Sequence, residues 1–172
     1  METRILLWIH SYASMPLDGA FILTDALGSG ATVSALMVGA FVWLLRRHER
    51  RLVLGWTILS VAAAGVGELI KALVARPRPE LWPALVHVRR FSCPSGHALY
   101  SAALLPFLIW VAGRDHPRWR LSLMLLAGSL SFAIGVGRLY LGVHWPTDVL
   151  FGWLIGALVC ALTIRWCQRP VR

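Results

Sequence analysis

Five apolar runs, at residues 30–45, 52–70, 97–111, 121–137 and 146–164, are separated only by short basic or proline-rich segments. A helix crossing the hydrocarbon of a bilayer needs about 20 mostly apolar residues. With no water to bind stray N–H and C=O groups, runs of this length must satisfy their own backbone as helices. Charged residues make up 15 % of the 172 residues and hydrophobic ones 58 %, where a soluble domain of this size carries roughly a quarter charged. The expected fold class is all-α, a polytopic membrane helix bundle of about five transmembrane helices, built as one domain over residues 1–172.

Residues 1–28 are apolar but broken by His10, Ser11, Ser14, Pro16, Asp18 and Asp25. They show no basic leader and no uninterrupted apolar core of the kind a signal peptide carries. Residues 4–12 read as a helix lying in the membrane interface, with a sixth crossing as the alternative. His10, Asp18 and Asp25 read as interfacial polarity or helix capping. Trp82 reads as an interface anchor, and Trp43, Trp56, Trp110, Trp119 and Trp166 as an aromatic belt at the opposite boundary.

The net charge of +9 does not indicate nucleic acid, because the basic residues fall in short clusters between spans. Sixteen of the 17 are arginines and the remaining one is Lys71, which stands at the end of an apolar run. Glu68, one turn earlier, is read as the partner of a nearby basic side chain. Cys93, Cys160 and Cys167 have no metal-ligand spacing, and three cysteines do not complete a disulfide framework. No carboxylate cluster suits Mg²⁺. No metal and no organic cofactor is expected.

Chemistry concentrates in residues 137–148, Gly-Arg-Leu-Tyr-Leu-Gly-Val-His-Trp-Pro-Thr-Asp. Pro146 suits the first turn of a helix, where its missing N–H needs no partner. His144 then stands at a helix N-terminus, an anion-attracting position, with Asp148 four residues on to hold its ring. Arg138 supplies a rigid fork of donors matched to phosphate. Two further stretches carry chemistry-bearing residues. Lys71 precedes Arg78-Pro79 by seven residues, and prolines at 77 and 79 force the chain to fold back between the two cations. Pro94-Ser95-Gly96-His97 opens the third apolar run, with Gly96 allowing close approach of a ligand to the backbone.

Lys-x6-Arg-Pro, Pro-Ser-Gly-His and Arg-x5-His-x3-Asp, in this order over residues 71–148, resemble the three motifs of the type 2 phosphatidic acid phosphatase (PAP2) superfamily. The third motif of that family usually begins Ser-Arg; here Gly137 replaces the serine. The resemblance implies a metal-independent lipid phosphatase working through a phosphohistidine. His144 would be the nucleophile, Asp148 its orienting carboxylate and His97 the acid for the leaving group. Lys71, Arg78, Ser95, Gly96 and Arg138 would hold the phosphate. Among family substrates undecaprenyl pyrophosphate is the first expectation. Phosphatidate, phosphatidylglycerol phosphate and lipid A phosphate (by hydrolysis or phosphotransfer) are the alternatives. A non-catalytic lipid-binding or transport protein would be expected to lack one of these catalytic groups, and none is missing.

Five spans put the three motifs on one face of the membrane. The opposite face carries ten arginines, at 46–51, 114–120 and 165–172. The motif face has four basic residues without a chemical role, Arg4, Arg76, Arg89 and Arg90; the last three read as a solvated loop face, with contact to a second phosphate or a lipid headgroup as the alternative for Arg89 and Arg90. Because cytoplasmic loops hold the arginine excess, the expected location is the cell (inner) membrane with the site on its extracytoplasmic side. The expected partner is a membrane lipid phosphate. Nothing in the sequence sets the oligomeric state.

Overall fold

The computed structural model describes residues 1–86, 88 and 91–169, and the described residues fold as helices joined by turns and one long loop. The helices are α1 (Glu2–His10), α2 (Met15–Leu27), α3 (Gly30–Arg46), α4 (Arg50–Val74), α5 (Gly96–Asp115), α6 (Arg120–Tyr140) and α7 (Pro146–Gln168). The all-helical membrane bundle expected from the apolar runs is what forms. α4, α5, α7 and α6 with the short turn before it are each long and apolar enough to cross a membrane.

The fifth candidate crossing is built differently from the expectation. α3 has 17 residues and meets the requirement only together with α2, from which it is bent by 44°. Gly28 ends α2, and Ser29 starts α3 by accepting the Thr32 N–H at 3.3 Å. That side-chain cap satisfies a donor the helix start would otherwise leave open. Residues 15–27, left outside the spans in the sequence reading, therefore enter the bundle, with α2 packed against α6.

α5 is the central helix, packed against α4, α6 and α7. Its approach to α7 depends on Gly152 and Gly156, a small-xxx-small pair of the sort that lets membrane helices meet backbone to backbone. A Cβ at Gly156 would lie 2.3 Å from the Leu99 carbonyl oxygen, and one at Gly152 would lie 2.6 Å from that of Ser95. α5 carries His97 and α7 carries Asp148, so this contact sets the distance between two of the three motifs.

Trp56 and Trp110 depart from the belt expected of them. Both are buried in the core with Phe107, Leu44, Leu59 and Leu104, and the Trp56 indole N–H donates to the Met37 carbonyl at 2.9 Å. Trp43 and Trp119 are exposed, as a belt requires. Trp82 and His10, both expected to face the interface, stack on each other at 4.0 Å. The Trp82 ring also occupies the space where Gly142, at φ +68°, would carry a side chain.

The two basic turns lie together. Arg47 forms a two-point pair with Asp115, at 2.6 and 3.1 Å, and Arg114 reaches Glu49 at 2.7 Å. The α3–α4 and α5–α6 turns thus share one end of the bundle, and the motif residues gather at the other.

Candidate active site

α4 ends at Val74 because Ala75 turns into the left-handed region (φ 46°, ψ 35°) and Pro77 follows. The chain reverses there, so Arg76 and Arg78 point back over the starts of α5 and α7. Lys71, on the last turn of α4, puts Nζ 3.7 Å from the place a Gly96 Cβ would take and 3.1 Å from Glu68 Oε1. The pairing read for Glu68 is the one found.

A cleft of about 310 Å³ opens between these elements, lined by Lys71, Arg78, Gly96, His97, Arg138 and His144 together with Asp25, Gly28 and Tyr100. Six of the eight residues singled out in the sequence therefore face one cavity. Asp148 lies behind His144 and is fully buried. Ser95 is fully buried beside Gly96; its hydroxyl has no hydrogen-bond partner, while its N–H donates to the Asp148 carbonyl at 3.0 Å. That bond ties the start of α5 to the start of α7.

Arg78 fixes the chemistry of His144. One guanidinium nitrogen donates to the Val143 carbonyl at 2.6 Å and lies 3.2 Å from His144 Nε2. Guanidinium nitrogens only donate, so Nε2 is the lone-pair nitrogen and the ring proton sits on Nδ1. Nδ1 is buried without a hydrogen-bond partner and lies 3.6 Å from Asp148 Oδ2, longer than a hydrogen bond. His144 is buried, and its loss of solvation, reinforced by Arg138 and Arg78 against the pull of Asp148, drives its pKa down to about 3. It is a neutral imidazole, the form a nucleophile requires. Burial likewise lowers the Arg78 guanidinium, against the attraction of Asp148, and raises the Cys93 thiol, which keeps that sulfur unreactive.

Asp148 is held from two sides. Oδ2 accepts the Trp145 N–H at 2.8 Å, and Oδ1 accepts from Arg76 at 2.9 Å. Arg76 also binds Thr147 Oγ1 and Glu2 Oε2, each at 2.6 Å, and Glu2 Oε1 accepts the Thr147 N–H at 3.0 Å. Burial alone would raise the Glu2 carboxyl, but the Thr147 and Arg76 hydrogen bonds hold it below the usual range. The sequence places Arg76 on a solvated loop face and marks no role for Glu2. No local pattern could have joined residues separated by more than 70 positions. Arg89 and Arg90 lie outside the described residues.

Asp25, expected as interfacial polarity or a helix cap, also enters the site. Its carboxylate meets the Arg138 guanidinium, and its Oδ1 and backbone oxygen lie 3.2 and 3.1 Å from His97 Nε2. The available signal was an acidic residue inside an apolar segment, which in a membrane is costly and often functional. Behind the cleft, sharing Gly28, His97 and Tyr100 with it, an apolar cavity of about 170 Å³ runs between Leu36, Leu104, Leu130 and Ile134.

A family model described as the PAP2 superfamily matches residues 53–172. Phosphatidylglycerophosphatase B of Bacillus subtilis (strain 168) is 34 % identical over 97 residues, covering 55 % of this chain and 47 % of that protein. The chain thus matches about half the length of that relative. An undecaprenyl-diphosphatase of Sulfolobus acidocaldarius is 29 % identical over 153 residues, covering 78 % of this chain and 71 % of that one. The crystal structure of a transmembrane PAP2-type phosphatidylglycerolphosphate phosphatase from Bacillus subtilis superposes with a TM-score of 0.90 at 24 % identity, over 99 % of this chain and 86 % of that one. At that identity the likeness speaks for the fold.

Proposed function

Because this chain belongs to the PAP2 superfamily, and so among the phosphatases, we propose that it is a membrane lipid phosphatase acting through a phosphohistidine on His144. The observation that carries this reading is the single cleft shared by Lys71, Arg78, Arg138 and the two histidines. Three cations and an anion-attracting helix start suit a phosphoryl group, whose charge grows on its equatorial oxygens as it transfers. The apolar cavity against His97 and Tyr100 supports a substrate that brings a hydrocarbon chain with its phosphate.

In this reading His144 Nε2 attacks phosphorus, and the Nδ1 proton, with Asp148 behind it, keeps the tautomer fixed as positive charge develops on the ring. Lys71, Arg78 and Arg138 neutralise the oxygens, with the Gly96 backbone close by. Ser95 shapes the turn from beneath. His97 protonates the departing oxygen and then takes a proton from the water that attacks the phosphohistidine. The cations do the charge stabilisation a metal would otherwise supply. Among the described residues no three His, Cys, Asp or Glu side chains converge as a metal site.

Undecaprenyl pyrophosphate is the substrate we put first. It draws on the name of the S. acidocaldarius relative. Phosphatidylglycerol phosphate comes second, from the name of the B. subtilis relative. The arginine asymmetry supports a site facing away from the cytoplasm. Purified protein in detergent, with excess EDTA, should release phosphate from lipid phosphates and fastest from an isoprenoid pyrophosphate. Activity that vanishes with EDTA and returns with Mg²⁺ would overturn the cationic cradle, and faster release from a diacyl lipid would overturn the substrate order.

A further inference from the structure

The match to the family model begins at residue 53, so α2 lies outside it, yet α2 delivers a carboxylate to the cleft. Three close approaches bring it there. A Cβ at Gly137 would lie 2.4 Å from Thr24 Oγ1, and one at Gly28 would lie 2.3 Å from the His97 ring carbon Cδ2. Asp25, between them, touches both Arg138 and His97 Nε2. Gly137 stands where the family motif usually has serine, and a side chain there would meet Thr24 and push α2 away. The glycine and the nearby aspartate therefore go together structurally.

We propose that Asp25 is the positioning carboxylate of His97, so that the site holds a second histidine–aspartate pair facing His144 and Asp148. This rests on the acid role given to His97 above. Asp25 accepts a hydrogen bond from His97 Nε2–H, which leaves Nδ1 as the ring nitrogen turned to the cleft. In the first step the His144 Nε2–P bond forms and the P–O bond to the leaving group breaks. The Nδ1 proton of the His97 imidazolium passes to that oxygen, and His97 becomes neutral while keeping Nε2–H on Asp25. In the second step the water oxygen–P bond forms, the N–P bond breaks, and the water proton returns to His97 Nδ1. Protons balance over the cycle, and Asp25 stays a carboxylate throughout. Its charge favours the imidazolium within a site crowded by Lys71, Arg78 and Arg138.

Two monoesters with the same hydrocarbon tail, both hydrolysed by the unsubstituted chain, test this: one releases an alkoxide and the other a nitrophenolate. An alkoxide needs the proton, whereas a nitrophenolate leaves without it. Asp25→Asn should lower turnover of the alkyl ester about 10- to 100-fold, part of the ~10²–10⁴-fold that general acid catalysis supplies. It should change the aryl ester by less than about threefold on the same scale. Asp25→Glu should recover part of the alkyl rate, and Asp25→Asn with His97→Ala should be no slower than His97→Ala alone. Equal losses on both esters in Asp25→Asn, beside a selective loss in His97→Ala, would show that Asp25 acts through Arg138 and would overturn the proposal alone. Equal losses in His97→Ala would remove the acid role and the proposal with it.

Discussion

Arg76 and Asp148 are paired at 2.9 Å across 72 positions of sequence, and the carboxylate so held is fully buried. Arg76 in turn is bound by Glu2 at 2.6 Å. Glu2, Arg76 and Asp148 therefore alternate in charge from the first helix inward, and Asp148 stands behind the neutral His144 ring. Burial works against the Arg76 cation, and the hydrogen bond to Glu2 and the charge of Asp148 more than offset it, so its pKa is raised.

Removal of Arg76 should expose that dependence. Arg76→Ala leaves Asp148 in the interior without its cation, and breaking a buried pair costs roughly 3–5 kcal/mol. Arg76 is 27 % exposed, so a loss near about 2–3 kcal/mol is expected, below that range. Glu2→Gln should cost less, because Thr147 and Arg76 keep an acceptor. Melting temperatures of the purified variants, together with kcat, would check the order; a neutral Arg76→Ala would contradict the pairing.

The α5–α7 contact predicts a coupled loss of stability and catalysis. In Gly156→Val, side-chain atoms would fall on the Leu99 carbonyl, 2.3 Å from where even a Cβ would sit. Overpacking of this sort typically costs about 1–3 kcal/mol. Because the helices carry His97 and Asp148, kcat should fall even at temperatures where the variant stays folded. Unchanged kcat in a folded variant would mean that the contact does not position the site.

Burial of neutral His144 gives a signed pH dependence. Its ordinary pKa of 6.5 falls to about 3 in the folded chain, so below pH 6.5 the unfolded chain takes up a proton that the folded chain refuses. Stability from this group is unaffected above pH 6.5 and is lost progressively as pH falls toward 3. His144→Asn lacks the effect. The melting-temperature difference between the parent and His144→Asn should therefore shift against the parent between pH 7 and pH 4. A constant difference would show that His144 is not buried as a neutral ring.

Orientation in the membrane is tested with single cysteines in a chain whose native cysteines are replaced. A cysteine among residues 46–51 should resist an impermeant thiol reagent in intact cells, and one beside Trp82 should react. The reverse pattern would turn the protein over without touching its chemistry.

Much of the site was legible because the motif residues announce their own local geometry. Pro146 starts α7 and the prolines after Lys71 reverse the chain, so spacing brings Lys71 toward Arg78 and Asp148 toward His144, while the resemblance to the PAP2 motifs joins these with His97 and Arg138. Asp25 is less legible because it sits in a broken apolar stretch that shows no span by itself. Only when joined to α3 across the bend at Gly28 and Ser29 does that stretch reach the length and apolarity of a candidate span. Glu2 and Arg76 were hidden for another reason: their partners are distant in sequence, and nothing in their neighbours marks a buried ion pair. Trp56 and Trp110 carry the same apolar flanks as belt residues, and only helix packing separates core from boundary.

The most direct measurement is the position of a covalent phosphate. Protein mixed with a ³²P-labelled lipid phosphate and quenched in alkali should retain an acid-labile label, and peptide mass spectrometry should place it on His144. His144→Ala should carry no label and show no turnover, while His97→Ala should label normally with the aryl ester. A label on His97, or full turnover in His144→Ala, would contradict the assignment of His144 as the nucleophile.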